Sequence, residues 1–159
     1  MLQVIRIEPN VNTKEEFMDY LKKSSKKFNL VIQAIDPDLV LSKRQVKFAV
    51  KHAQDSFKNK KNRAKTLENE ILLTLAMTRS FDQAIKILGI KNGEDALLII
   101  LGDNPKNFMK ELSSYLINPV FKPDKEKILK SYGINKNSLV MFSLEDMLLE
   151  KMAIAANEK

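Results

Sequence analysis

The run ALLIILG, residues 96–102, limits the fold more than any other part of the sequence, because all of its side chains before the closing glycine are apolar. Acidic residues precede this run and Gly102-Asp103 end it. A short apolar run between turn residues is typical of an interior strand covered on both faces. The segments 2–8 and 29–35 are rich in β-branched residues and predict two further strands. The chain therefore requires a small sheet with other elements on both of its sides.

Helical patterns occupy most of the remaining sequence. Thr13 with Glu16, and Ser80 with Gln83, have the capping-box spacing that satisfies free amide groups at a helix start. The predicted helices cover about residues 14–27, 42–59, 67–77, 81–88, 105–116, 124–131 and 144–156. We therefore expect an α/β fold, with one helix-rich domain over residues 1–159 and a small mixed β-sheet of about three to four strands covered by helices.

Two neighbouring helices differ in how their apolar side chains are distributed. Apolar residues surround the axis of the helix 67–77, which predicts burial on most of its sides. In the helix 42–59 they share one face, and basic residues lie on the roughly opposite face. The apolar face holds Val46, Ala49, Val50, Ala53 and Phe57, and the basic face holds Arg44, Lys47, Lys51 and Lys58.

Positive charge is concentrated in one part of the chain. The formal net charge is +7, and residues 42–65 hold nine Lys or Arg against the single acidic residue Asp55. The rest of the chain has a net charge of −1. Charge that served only solubility would be spread along the sequence, so residues 42–65 predict a basic region that faces a polyanion, a class that includes RNA. The alternative is a lysine-rich face that only contacts solvent.

The sequence lacks the residues that several kinds of catalytic, metal-binding and nucleotide-binding site require. The chain has no cysteine and one histidine, His52, and none of its four glycines lies in a phosphate-loop pattern. Neighbouring carboxylates lie in predicted first helical turns, where they interact favourably with the helix dipole, namely Glu15-Glu16, Glu68/Glu70 and Glu145-Asp146. We expect no enzyme activity, no cofactor, no metal and no small-molecule substrate. The absence of cysteine favours a reducing compartment, so we expect a cytoplasmic protein. No run approaches the roughly 18 apolar residues of a membrane span, so we expect no membrane contact.

The order of residues between positions 62 and 90 matches a known family. The matching positions are Asn62, Lys65, Thr66-Leu67, Glu70, Leu72, Thr78-Arg79, Ala84-Ile85 and Gly89-Ile90. Upstream, Asp36, Val40, Ala49 and Ala53 fit the same pattern, as does the downstream run 96–102. In this order and spacing, the chain resembles the regulatory subunit of the KEOPS complex, the TPRKB-like (PRPK-binding protein) family. The resemblance extends over nearly the whole length of the chain.

Two positions depart from the family pattern. Members often have a glycine immediately before the Thr-Arg pair, whereas this chain has Met77. They commonly have Gln-Ile after the pair, where Ser80-Phe81 stand here. Both departures lie beside Arg79, so the backbone of that turn is the part of the pattern that they affect.

The resemblance implies a non-catalytic subunit with two partners. One is tRNA, whose single-stranded 3′ acceptor end is captured for threonylcarbamoyladenosine modification. The other is the atypical kinase-ATPase subunit of KEOPS, of the PRPK family. ATP and metal chemistry then belong to other subunits. Together with the charge distribution, the resemblance gives the candidate RNA contacts Arg44, Lys47, Lys51, Lys58, Lys60, Lys61, Arg63, Lys65 and Arg79.

Side chains that hold a base or a protein partner are less clearly marked. Phe48, with His52 beside it, lies between the apolar and basic faces of its helix, where it can stack on a base or pack against a neighbouring helix. Ile71 and Leu75 can line a base pocket or belong to the core. The helix 144–156 has a Met-rich apolar stripe that suits a partner surface or closes the core. The candidate partner contacts are Leu144, Met147, Leu148 and Met152.

Two other functions remain as alternatives. A purely protein-binding regulator of a kinase-like partner would have no salt-dependent affinity for RNA. A small nucleic-acid-processing enzyme would require turnover without the side chains that such chemistry normally uses.

Overall fold

The computed structural model describes residues 1–157 of the chain. These residues form two compact units, of which unit 1 comprises Met1–Pro37 and Gly89–Phe121. Unit 2 comprises Asp38–Leu88 and the chain from Lys122 onward. Within the described residues there are three strands, β1 (Leu2–Ile7), β2 (Val31–Ile35) and β3 (Ala96–Leu101), and seven α-helices: α1 (Lys14–Phe28), α2 (Lys43–Lys58), α3 (Leu67–Ala76), α4 (Phe81–Leu88), α5 (Lys106–Glu111), α6 (Lys125–Tyr132) and α7 (Leu144–Asn157). The predicted helix-rich α/β fold with a small sheet is confirmed.

The sheet belongs to unit 1 and has the order β1-β3-β2. Leu98 of the central strand is paired with Ile5 on one side and with Ala34 on the other. All six residues of β3 are buried, which confirms the prediction of an interior strand. Both pairings are antiparallel, where the sequence analysis predicts a mixed sheet, because β3 lies between β1 and β2 and runs opposite to each of them.

The core of unit 1 is completed by α1 and α5. The Phe108 side chain is fully buried, and its ring lies 6.5 Å from that of Tyr20 and 5.6 Å from that of Phe28. The helix predicted to continue to about residue 116 ends at Glu111 and is followed by a 3-10 turn at Ser113–Tyr115. The next residues cannot remain helical, because Leu116 forms a β-bridge with Ile7.

Unit 2 is a group of helices around α3. Every residue from Glu70 to Ala76 is buried, as the apolar residues around its axis predict, and α3 packs against α2, α4 and α7. The predicted inner face of α2 is buried at Val46, Ala49, Val50 and Ala53. None of the helices between residues 1 and 157 is long and apolar enough to cross a membrane.

Candidate nucleic-acid interface

The basic face of α2 lies on the surface of unit 2. Arg44, Lys47, Lys51 and Lys58 are all exposed, and their spacing keeps them on one side of the helix. Arg44 contacts the start of α7, with one guanidinium nitrogen 3.2 Å from the Asp146 carboxylate and 3.4 Å from that of Glu145. The three lysines form no ion pair with any residue that the structure describes. These three lysines therefore present uncompensated positive charge.

The loop between α2 and α3, residues 59–66, continues this charge with Lys60, Lys61 and Lys65, which are all exposed. Backbone bonds fix its first part to the end of α2. The Lys61 amide donates to the Ser56 carbonyl at 2.8 Å, and the Lys60 amide donates to the Phe57 carbonyl at 3.2 Å. Lys60 has a left-handed backbone with φ 58°, which few residues other than glycine adopt. The loop is therefore held in a defined and locally strained conformation.

The second part of the loop is fixed by Glu70, whose side chain is completely buried. One carboxylate oxygen accepts the Arg63 amide at 2.8 Å and the Ala64 amide at 2.7 Å. The other oxygen accepts the Arg63 guanidinium at 3.1 Å, and that guanidinium also donates to the Thr74 hydroxyl at 3.2 Å. A buried carboxylate is tolerated only when it is paired and fully hydrogen-bonded, which this arrangement provides.

The structure thus separates the nine predicted RNA contacts into groups. Arg63 is only 16% exposed and neutralises Glu70, so we remove it from the surface that contacts a ligand. Arg44 is exposed but already paired with carboxylates. The others are exposed and have no ion pair among residues 1–157: Lys47, Lys51, Lys58, Lys60, Lys61, Lys65 and Arg79.

The structural role of Glu70 is not predicted from the sequence, where Glu70 and Glu68 are expected to be favourable charges at the start of a helix. Both residues do lie in the first turn of α3, but the side chain of Glu70 is completely buried. Two signals were present. Glu70 is part of the family pattern, and the apolar residues around α3 leave little exposed surface for position 70.

A turn and a cavity lie at the other end of α3. Met77 ends the helix in a left-handed conformation, with φ 57° and ψ 39°. The resemblance predicts glycine at this position, and glycine adopts that conformation without a Cβ penalty. A cavity of about 490 Å³ opens beside the turn, and its walls include Thr78, Tyr132 and Lys151. The Tyr132 hydroxyl donates to the Leu75 carbonyl at 3.1 Å.

The structure also places the predicted base-binding residues. Ile71 and Leu75 are completely buried and are core residues of unit 2. Phe48 and His52 are half-buried, and a ring nitrogen of His52 lies 3.4 Å from the Ser56 hydroxyl. Both roles considered for Phe48 remain compatible with this position.

The predicted partner surface on α7 needs correction at two of its four residues. Leu148 and Met152 are completely buried, because this face of α7 packs inside unit 2, while Leu144 and Met147 are half-buried. The exposed apolar surface instead lies immediately before α7. Leu139 is 36%, Val140 88%, Met141 82% and Phe142 57% exposed. Four consecutive exposed apolar residues are unusual unless another molecule covers them.

Comparisons with known proteins give the chain a family context. A family model described as kinase binding protein CGI-121 matches residues 9–156, which run through both units. The KEOPS complex subunit Cgi121 of Pyrococcus abyssi (strain GE5 / Orsay) is 36% identical to this chain over 72 residues. That alignment covers 45% of this chain and 42% of the relative, so it spans less than half of each protein.

The contacts of Glu70 predict a large effect of removing its charge. Glu70→Gln leaves the Arg63 guanidinium without its counter-ion in a largely buried position. We expect the free energy of unfolding to fall by about 3 kcal/mol, measured by urea denaturation. Glu150→Gln is the matched control, because Glu150 is exposed on α7, and it should change stability by less than about 0.5 kcal/mol. Equal stabilities of the two variants would contradict the role assigned to Glu70.

Proposed function

The chain belongs to the kinase binding protein CGI-121 family, as the pattern of residues 62–90 predicts, and on this basis we propose that it is a non-catalytic subunit of a KEOPS complex. In this proposal it binds the 3′ acceptor end of tRNA and the atypical kinase-ATPase subunit, and so supports threonylcarbamoyladenosine modification. Residues 1–159 constitute one accessory-subunit-like domain of that complex, which acts in the cytoplasm. The observation that carries the RNA half of the proposal is the ordered group of exposed, unpaired cations on α2 and the following loop.

These cations suit a polyanion for a physical reason. Each phosphate that a lysine neutralises releases condensed counterions, so several lysines together give a strong, salt-dependent affinity without any catalytic group. Unit 1 holds nine basic and nine acidic residues, whereas unit 2 holds eighteen and eleven. The entire net positive charge therefore belongs to unit 2, and its exposed lysines on α2 and the loop 59–66 carry most of it.

The cavity at the end of α3 is the candidate site for the terminal nucleotide. Its volume lies within the range of small-ligand sites, and it combines an aromatic side chain, Tyr132, with hydroxyl groups and the Lys151 ammonium. Single-stranded ends are held by such a mixture of stacking, base-edge hydrogen bonds and charge. The ten residues of α3 separate this cavity from the basic loop by about 15 Å. About four stacked nucleotides at roughly 3.4 Å each span that distance.

For the kinase-like partner, the segment Leu139–Phe142 is the better candidate than the buried stripe of α7. Its side chains are apolar and already exposed, so a partner can cover them without disturbing the core of unit 2. Burying one such side chain stabilises a complex by about 1.5–3 kcal/mol before the costs of association. Leu144 and Met147 lie directly after this segment and extend it onto α7.

The RNA contact predicts a loss of affinity on charge reversal. We expect at least about tenfold weaker tRNA binding by the triple variant Lys60→Glu, Lys61→Glu, Lys65→Glu. The slope of the logarithm of the binding constant against the logarithm of the salt concentration should fall in magnitude by about two to three. Arg63 is left unchanged, so the fold is preserved. The control reverses three exposed lysines of unit 1, Lys22, Lys26 and Lys106, and should keep its affinity. Filter binding between 50 and 200 mM salt measures both quantities.

Equal losses in the two variants would indicate attraction by overall charge alone. Unchanged affinity in the loop variant would instead favour a purely protein-binding regulator.

End capture predicts an interaction between one side chain and the end of the RNA. Lys151→Ala should weaken binding of intact tRNA about three- to tenfold, because it removes a cation from the cavity wall. The substitution should have no effect on the binding of tRNA that lacks its 3′-terminal nucleotides. The losses of affinity caused by the substitution and by trimming the tRNA are therefore not additive. Lys130→Ala, which changes an exposed residue of α6, is the control. If Lys151→Ala weakens intact and trimmed tRNA equally, the cavity is not the site of the terminal nucleotide.

The partner surface predicts that a charge at its most exposed positions blocks the kinase. Val140→Asp with Met141→Asp should weaken binding of the kinase-ATPase subunit more than tenfold and leave stability and tRNA affinity unchanged. Met18→Asp, at an exposed apolar position of unit 1, is the control for surface hydrophobicity. Calorimetry with the purified kinase subunit measures the effect, and full binding by the double variant would contradict this assignment.

A further inference from the structure

Unit 1 contains a groove that the proposed function does not use. A cavity of about 300 Å³ lies between the loop after β1 and the segment after α5, and a second of about 220 Å³ adjoins it. The two share Glu8, Pro9, Asn10 and Tyr115, so they form one continuous groove. We call it the unit 1 groove. Its size is sufficient for one long side chain with a short stretch of extended peptide.

The walls of this groove are aromatic and apolar. Phe17, Tyr20 and Tyr115 line the larger cavity, and Leu112 and Ile7 complete its floor. Phe17 is nearly fully buried, and Tyr20 and Tyr115 are half-buried. Tyr115 is held in place, because the Asn10 amide group lies 3.4 Å from its hydroxyl and its carbonyl accepts the Glu8 amide at 2.9 Å. The groove is thus a formed part of unit 1.

Among the residues that the structure describes, the charged side chains on the walls of this groove are all acidic. Glu8 and Glu111 line it, and none of the described residues on its walls is lysine or arginine. This is notable in a chain with 27 basic and 20 acidic residues. The Glu8 carboxylate is exposed and has no hydrogen bond or ion pair among residues 1–157. A groove with these walls disfavours phosphate and favours a cation.

Glu111 already binds one cation, the ammonium group of Lys27. Its carboxylate accepts the Lys27 ammonium at 2.9 Å and the Tyr20 hydroxyl at 3.0 Å. The same ammonium lies 4.8 Å from the centre of the Phe28 ring. The hydrogen bond from Lys27, followed by that from Tyr20, lowers the pKa of Glu111, so this carboxylate is charged at neutral pH. Two carboxylate oxygens can accept further donors beyond these two.

We propose that the unit 1 groove binds a basic peptide segment of a protein partner, with one arginine or lysine side chain inserted against the tyrosine rings and its cationic head between Glu8 and Glu111. The apolar stem of such a side chain buries well against aromatic walls while its head remains near water. Aromatic faces and carboxylates both attract the head. This site is independent of the RNA surface and of the exposed segment Leu139–Phe142, which both belong to unit 2.

The probe for this site is the tripeptide acetyl-Leu-Arg-Leu-amide. Its control is the same peptide with citrulline, which has nearly the shape of arginine but no charge. Each is titrated into the ¹⁵N-labelled full chain, and amide shifts are followed by NMR, which detects millimolar affinity. We expect saturable shifts in residues 7–11 and 111–117 with the arginine peptide and at least about fivefold weaker binding of the citrulline peptide.

Two variants separate the groove from general charge. Glu8→Gln should weaken the arginine peptide about fivefold, because it removes the unpaired carboxylate. Glu15→Gln, which removes an exposed carboxylate elsewhere in unit 1, should not change the affinity. Both variants keep the core of unit 1 intact, so a loss of binding is not a loss of fold.

Several results would overturn the proposal. Equal binding of the citrulline peptide would make the site a neutral apolar groove, and shifts outside the groove would exclude it. Shifts of the same amides with protein concentration alone would identify a second copy of the chain as the occupant. Shifts caused by a single-stranded RNA oligonucleotide would identify nucleic acid instead.

Discussion

A single buried carboxylate holds the proposed RNA surface together. Glu70 is fixed on α3, the most buried helix of unit 2, and accepts two loop amides and the Arg63 guanidinium. Without it the first part of the loop would still be bonded to the end of α2, but the second part, from Arg63 to the start of α3, would lose the contacts that fix it. With it the loop has a defined course, and Lys60, Lys61 and Lys65 remain exposed beside the basic face of α2. Arg63 therefore pairs with Glu70 inside unit 2, and the neighbouring lysines remain available to contact phosphate groups.

The sequence predicts the parts of this fold that depend on local pattern. The continuous apolar run 96–102 and the all-round apolar helix at 67–77 are both buried as expected. Periodicity also identifies the basic face of α2. Periodicity does not reveal which element covers an apolar face. From the sequence, the apolar stripe on α7 fits a partner surface and a core position equally well. In the structure, Leu148 and Met152 belong to the core. The exposed segment Leu139–Phe142 has no period and carries no such signal.

The two units differ in the chemistry they offer. Unit 2 carries all of the net positive charge, whereas unit 1 is neutral overall and has a groove whose charged walls are acidic. A polyanion and a basic peptide therefore favour different units of one chain. In the proposed function, this division allows the chain to contact several partners, since each contact requires only exposed charge or apolar surface.

Hydrogen exchange at the loop amides tests the central role of Glu70 most directly. If the buried carboxylate holds the loop, the amides of Arg63 and Ala64 exchange much more slowly than that of Asn62, which lies in the same loop and is exposed. The protection should disappear in a variant that lacks the carboxylate. Equal exchange at these three positions in the native protein would show that Glu70 does not hold this part of the loop, which would contradict the central role assigned to it.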